Sequence, residues 1–393
     1  MEGSSLRICH IVEWQLINID NTNHIYGCIF LCLVLLIVYL TSPLQASSGT
    51  EGAAFLDIPV GAGPAAMGGA YSALAYDAYA ATLNPGGLGF LDSPQFAGQH
   101  LAYLESIHYE YLSFGVPLGR SSFCSIGDTC VRSALGGSMQ YLGSGDINGT
   151  DVNGNPTGTF SSHYAAYNLS YGRLLTDRLS LGITGKWINA AIDNVSANAF
   201  ATDLGSMYRA SDKLTLAAVL TNVGSKLTFL NQGDSLPLAF HIGGAYQPID
   251  QWTVSAEGIY PQTGLASAHF GVEWRPLPSL SIRSGYRTDT VKELGAIAGF
   301  TTGVGLQFYG QEFSYAWLPM GDLGNTQYFS LVMHLGEAQK ASNNLIQYQD
   351  LKQHRAVHGI DERDDKDFEQ IMELLKEDNY IVLKPTATRH STE

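Results

Sequence analysis

The sequence predicts an all-β protein: a transmembrane antiparallel β-barrel of about 14 strands, with an N-terminal hatch in the lumen and a partly helical C-terminal tail. Three observations predict it. Only 15% of the 393 residues are charged, against roughly 25% in soluble domains. Short segments recur in which apolar residues alternate with small or polar ones, the period of a strand with one apolar face. Near the N-terminus lies an uncharged run, Ile25 to Leu40, short for a spanning helix and suited to an export signal.

The length allows two or three average domains or one large barrel and excludes a small disulfide-stapled fold. The 43 glycines, 21 tyrosines and 16 phenylalanines suit packed strands better than helices. A net charge of −15 excludes nucleic acid as a partner, because phosphate neutralisation needs a Lys/Arg surplus. The charges are also unevenly placed: residues 337–393 hold 20 of the 57, and the 288 residues from Gly49 to Gly336 hold only 33. So little ionic surface on so long a segment calls for a second apolar phase, and outer-membrane lipid is the natural partner.

Residues 1–46 read as a signal peptide with a spurious N-terminal extension, cut after Ala46, since Arg7 is the only basic residue ahead of the apolar run. The alternative is an uncleaved anchor helix. Cys9, Cys28 and Cys32 leave with the signal, so the mature chain keeps Cys124 and Cys130. In an exported protein these two thiols either close a small disulfide loop or stay free. No His or second Cys pair flanks them, so no metal site is expected there, and no cofactor anywhere.

The barrel is assigned to residues 93–336. Its fourteen segments lie near 94–104, 107–118, 134–143, 161–175, 179–192, 196–210, 214–222, 238–247, 252–260, 266–275, 279–287, 297–305, 307–317 and 327–335. Most are long enough to cross a bilayer at a tilt, and an even number closes without free edges. Trp187, Trp252, Tyr260, Trp274, Tyr286, Trp317 and Tyr328 stand near segment ends and are read as interfacial girdles. Parity places Lys186, Asp203, Glu257, Glu273, Arg283, Arg287 and Glu312 on the inner face, where they must meet water, one another or a plug, because lipid would make them costly. A soluble β-sandwich would need separate explanations for the signal and the charge deficit.

Residues 47–92 do not alternate. Gly61-x-Gly63-x-x-Ala66 formally matches a dinucleotide fingerprint, but Pro64 interrupts it and no βαβ unit follows. The physical reading is a short helix of small residues and a turn at Asn84-Pro85-Gly86-Gly87, packed where backbones approach closely.

The run Gly61 to Leu88, with Met67, Gly68, Gly69, Ala70, Asp77, Asn84, Pro85, Gly87 and Leu88 at the positions of a G-x-x-x-A-x-M-G-G-A, A-x-x-D and N-P-A/G-G-L series, resembles the PorV/PorQ family of outer-membrane proteins, relatives of the FadL fatty-acid transporters. Weaker matches follow at Gly154–Phe160, Asp203-Leu204-Gly205, Thr221-Asn222-Val223-Gly224 and Gly321–Thr326. The resemblance implies residues 53–92 folded into the lumen as a hatch, with Met67, Gly68, Gly69, Asp77, Asn84 and Pro85 as its gate residues and Asn84-Pro85 foremost. It also implies a periplasmic N-terminus, Glu105-Ser106 at the first outer turn, the Cys124–Cys130 excursion as a periplasmic turn and the Asp146–Phe160 loop facing outward. Asp151, Asn153 and Asn155 mimic the start of a calcium loop, but Pro156 replaces the Gly and Ser162 the closing Glu, so a plain turn is expected.

The charged tail, 337–393, is expected in the periplasm, with Phe368, Ile371, Met372 and Leu375 at helical spacing behind an acidic start. No nucleophile elbow, His-Glu-x-x-His, Cys-x-x-Cys-His or P-loop is present, so no enzyme is expected. Two functions stay open. Resemblance to PorV implies a barrel that receives exported cargo proteins or joins secretion-system components. Resemblance to FadL implies passive transport of hydrophobic small molecules. The polarity contributed by Arg283, Arg287, Glu257 and Glu312 favours the first.

Overall fold

The structure, a computed structural model, describes residues 51–335 apart from 105 and 119–131. The Cys124–Cys130 pair, the signal segment and the 337–393 tail lie outside the described residues. In chain order the strands are β1 (Gln95–Ala102), β2 (His108–Pro117), β3 (Ser133–Gly143), β4 (Ile147–Thr150), β5 (Pro156–Phe160), β6 (Ser162–Leu174), β7 (Leu179–Ile192), β8 (Val195–Arg209), β9 (Leu214–Gly224), β10 (Leu227–Phe229), β11 (Gln232–Asp234), β12 (Ala239–Ile249), β13 (Trp252–Pro261), β14 (Ser267–Leu277), β15 (Leu280–Arg287), β16 (Phe300–Phe308), β17 (Gln311–Pro319) and β18 (Asn325–His334). Fourteen of them form one closed barrel whose ends meet where β1 lies beside β18, while β4–β5 and β10–β11 are separate small hairpins. Among the described residues no helix is long and apolar enough to cross a membrane.

Each of the fourteen alternating segments is a barrel strand. The largest shifts are at β16 and β17, which begin later than the alternation suggests. Residues Ala296–Gly299 close a 3-10 turn ahead of β16, and the β16–β17 turn falls at Tyr309-Gly310, both with positive φ, rather than at residue 306. The outward face is apolar: Phe96, Leu112, Leu169, Phe200, Phe270 and Phe313 are all exposed, as lipid-facing positions of a barrel require. Trp252 and Trp274 stack on this face, centroids 5.8 Å apart. Tyr328 is the exception among the girdle residues. It is buried on the inner face of β18, because its neighbours Phe329 and Leu331 take the outward parity.

The two barrel ends differ. Long connections, β3–β6 with its hairpin, β9–β12 with its hairpin, and β15–β16 with helix α3 (Val291–Leu294), share one end. At the other end the fully described connections, such as 175–178, 250–251 and 309–310, run two to four residues. The Asp146–Phe160 loop is the β4–β5 hairpin at the long-loop end, closed where the Asp151 carboxylate accepts from the Asn153 and Asn155 amides, 2.8 Å each. Those bonds consume the carboxylate in a turn, and among the described residues no group of side chains could hold a metal.

Residues 51–92 fill the lumen. They begin at the long-loop end, where the Gly52 N–H donates to Ser235 O (2.8 Å) and Phe55 packs on Tyr164 of β6 (5.7 Å). The N-terminus, which the family resemblance places in the periplasm, lies outside the described residues. From the long-loop end the chain descends through helix α1 (Ala62–Ala66), a Met67-Gly68-Gly69 turn, helix α2 (Ala80–Leu83) and a 3-10 stretch, Pro85–Phe90, and enters β1 at the short-turn end.

Candidate functional site

The hatch seats on the wall where both surfaces lack side chains. Gly172, Gly182 and Gly205 pair in register across β6, β7 and β8 and face inward. A β-carbon on any of them would collide with Asn84 or Pro85. Asn84 is fully buried and locks this seat: its Nδ2 donates to Ser72 O (2.9 Å) and Ser206 O (3.1 Å), and its Oδ1 accepts from the Gly86 N–H (3.0 Å). A second seat holds the other motif. Gly68, at φ 68°, lies against Gly285 and the Phe270 carbonyl, where a side chain would clash with backbone. Thr301 joins this turn to β16, accepting from the Gly68 N–H (3.0 Å) and donating to Ala66 O (2.8 Å). Met67 is buried beside Gly271, and Gly69 faces the His269 ring. Asp77 stays within the hatch, accepting from Tyr71 Oη and the Tyr79 N–H, 2.9 Å each.

All seven charged side chains assigned to the inner face point into the lumen, but they do not share one level. Arg283, Glu273 and Glu312 lie toward the short-turn end, beneath α1. Arg283 donates through Nε to Glu273 Oε2 (2.6 Å), and through its terminal nitrogens to Glu312 Oε1 (2.8 Å) and Ser314 Oγ (3.0 Å). Arg275 holds the other Glu273 oxygen at 2.6 Å. All three guanidinium nitrogens of Arg283 and both oxygens of Glu273 are thus paired, the condition under which buried charges are tolerated.

Lys186, Asp203, Glu257 and Arg287 belong to a second level. There a chamber of about 580 Å³ is bounded by the hatch and by the wall near the long-loop end. One side is built by a β-bulge: the β8–β9 register shifts between Thr202 and Leu204, and Asn222 takes φ 60°. The bulge re-aims Asn222 inward. Its Oδ1 accepts from Lys186 Nζ (2.7 Å), its N–H donates to Asp203 Oδ1 (2.7 Å), and Lys186 pairs with Asp203 at 2.7 Å. On the next side His241 Nδ1 meets Glu257 Oε1 at 2.9 Å, and Glu257 Oε2 accepts from the Ser72 N–H at 2.9 Å. The third side carries Arg287, bonded to Asp289 (Nε to Oδ1, 2.8 Å), with His269 Nε2 3.7 Å from the same carboxylate. Burial alone would raise the Asp289 carboxyl, but the hydrogen bond and charge of Arg287 outweigh it and hold it at about 2.

Asp57 and Glu51 complete the rim from the hatch side. Asp57 is reachable from the chamber yet walled by protein. That confinement, reinforced by Glu51 and only partly offset by His241, Lys186 and Arg287, pushes its carboxyl up to about 7. Asp57, His241, His269 and Asp289 were not singled out by the sequence, and Asn222 entered only as part of the Thr221–Gly224 match. Strand parity gives a signal for His241 and His269. Asp57 and Asp289 lie in irregular segments that carry no such signal.

The family described as type IX secretion system protein PorV matches residues 44–255, more than half of the chain. The chain belongs to the PorV family. With a closed barrel and an apolar outer face, this PorV-family member is an outer-membrane protein. No curated protein matches it at a significant level. Similar solved structures include the Pseudomonas putida toluene transporter TodX (14% identity, 74% of this chain and 98% of that one, TM-score 0.47). They also include the Ralstonia pickettii toluene transporter TbuX (16%, 69% and 96%, 0.46) and a Pseudomonas aeruginosa FadL homologue (13%, 69% and 96%, 0.45). The chamber of this PorV-family barrel lies at the end that carries the hairpin-bearing connections, the kind of long loop that outer-membrane barrels keep outside.

Proposed function

We propose that the protein receives exported cargo proteins for a secretion system at the outer surface of the outer membrane, without catalysing a reaction. One observation carries this reading. The hatch backbone is pressed against bare wall backbone along β6–β8 and again along β14–β16, so the lumen is blocked, while the outward chamber is open and ringed by charged side chains. A blocked lumen with a polar outer basin suits grasping a protein segment better than conducting an apolar molecule, whose path would have to cross Lys186, Glu257 and Arg287. Membership of a family described by type IX secretion agrees with it.

The test is mass spectrometry of what stays bound when the protein is extracted from outer membranes in mild detergent. Exported proteins sharing one C-terminal domain are the expected recovery. Fatty acids or other apolar molecules alone would overturn the reading in favour of hydrophobic transport.

A further inference from the structure

The acidic groups of the outer chamber are not balanced by its cations. Lys186 is committed to Asp203 and Asn222, and Arg287 to Asp289. Glu257 is met by an imidazole and by Ser72, with no Lys or Arg bonded to it. Asp57 has no hydrogen bond or ion pair with any described residue, and Glu51 Oε1 is buried without a partner. A second, independent feature points to a ligand. His269 is 4% exposed and lines the chamber, its Nε2 faces Ser267 and Asp289, and its Nδ1, on the side of Gly69 at the chamber wall, has no hydrogen-bond partner. A buried polar atom left open in this way is uncommon in native structures unless something else meets it.

The surroundings of these carboxylates are apolar. Leu56, Ile58, Pro237, Ile259, Pro261 and Leu265 stand in the same chamber. Carboxylates set among aliphatic walls complement a side chain that is aliphatic along its stem and cationic at its tip, since such a side chain buries its methylenes while its charge finds a partner. We propose that the chamber is a receptor for a lysine or arginine side chain presented by an extended peptide segment of the cargo, with Asp57 and Glu51 taking the cationic tip and Glu257 and His269 accepting further donors. The volume, about 580 Å³, accommodates more than one such residue. The assignment rests on the cargo-receiving role but adds a chemistry that the role does not require.

Isothermal titration calorimetry on the purified full chain in mild detergent tests it, with the peptide acetyl-Gly-Lys-Gly-Lys-Gly-amide and its counterparts bearing norleucine or glutamate in place of lysine. The lysine peptide should bind saturably, and both counterparts about tenfold or more weaker. Asp57→Asn should weaken the lysine peptide about fivefold, the weight of one partly screened ion pair. The same variant should leave the barrel's heat-modifiable gel mobility intact. Asp57 faces Glu51 on the hatch, His241 on β12, Lys186 on β7 and Arg287 on β15, so lysine-peptide affinity should also rise between pH 6 and pH 8 as that carboxyl ionises. Absent binding, equal binding of the norleucine peptide, or an Asp57→Asn variant of unchanged affinity would overturn the proposal. If exported proteins are nevertheless recovered with the barrel, the cargo-receiving role stands and only the cationic chemistry falls. A lysine peptide that binds while no exported protein is recovered supports the cationic chemistry of the chamber and removes the cargo-receiving role.

Discussion

The two halves of the lumen are built by opposite means. Toward the short-turn end, glycines strip the wall so that the Asn84-Pro85-Gly86 backbone lies directly on β6–β8, and Arg283 meets Glu273, Glu312 and Ser314 through all three of its guanidinium nitrogens. Toward the long-loop end, charged side chains and a bulge hold the walls apart around open space, and Glu51 Oε1 and His269 Nδ1 are left without partners. Completed polar groups and close backbone contact make a fixed structure, whereas incomplete ones make a place for something to bind.

This contrast can be broken by substitution, beginning where the expected effect is largest. Arg283→Met leaves Glu273 and Glu312 without their shared cation and should cost about 3–5 kcal/mol, the usual result of removing one partner of a buried pair. The urea unfolding midpoint in detergent measures it, and a shift no larger than that of an outer-chamber variant would erase the distinction between the halves. Replacing Asn84-Pro85 with Ala-Ala removes three hydrogen bonds at the hatch seat, about 2–3 kcal/mol at roughly 1 kcal/mol each. It should raise single-channel conductance in planar bilayers, and unchanged conductance would show that this box does not hold the plug. Gly182→Ala forces a β-carbon into the Pro85 carbonyl. Since backbone cannot yield as a side chain can, about 1–3 kcal/mol of overpacking cost is expected in the same unfolding assay.

Asp57→Asn should act with the opposite sign. The folded carboxyl is raised from 3.8 to about 7, so the unfolded chain ionises first as pH rises, and the native barrel loses stability progressively between those values. Asn escapes that loss. The melting temperature of the variant should therefore match that of the natural chain near pH 4 and exceed it at pH 8. A difference independent of pH would mean that the chamber does not confine Asp57.

Much of this was legible in the sequence, for reasons that differ by region. Strands β7, β13 and β15 alternate over much of their length because one face meets lipid and the other the lumen, so the inward parity of Lys186, Glu257 and Arg283 follows from counting residues. The same counting puts Tyr328 inside, where it lies, and only its aromatic character suggested an interface. The glycine row could have been read too, because Gly172, Gly182 and Gly205 all occupy inward positions. Its meaning appears only when the register aligns the three. The chamber was the least legible part. Its carboxylates and imidazoles come from the hatch, three strands and a loop, and Asn222 reaches it only through a bulge that local alternation does not announce.

The hatch has a consequence for how the molecule can be made. It is continuous with β1 at one end of the barrel sequence, yet Ala62 is bonded to Ser330 on β18 and the Met67-Gly68 turn to Thr301 on β16. Strands from both extremes of the chain therefore converge on the same short segment, next to the seam where β1 meets β18. A cylinder whose first and last staves are both fastened to its filling is wound around that filling, as cloth is around a mandrel. The segment that stops the lumen is also bonded to both ends of the sheet, to Gln99 on β1 and Ser330 on β18.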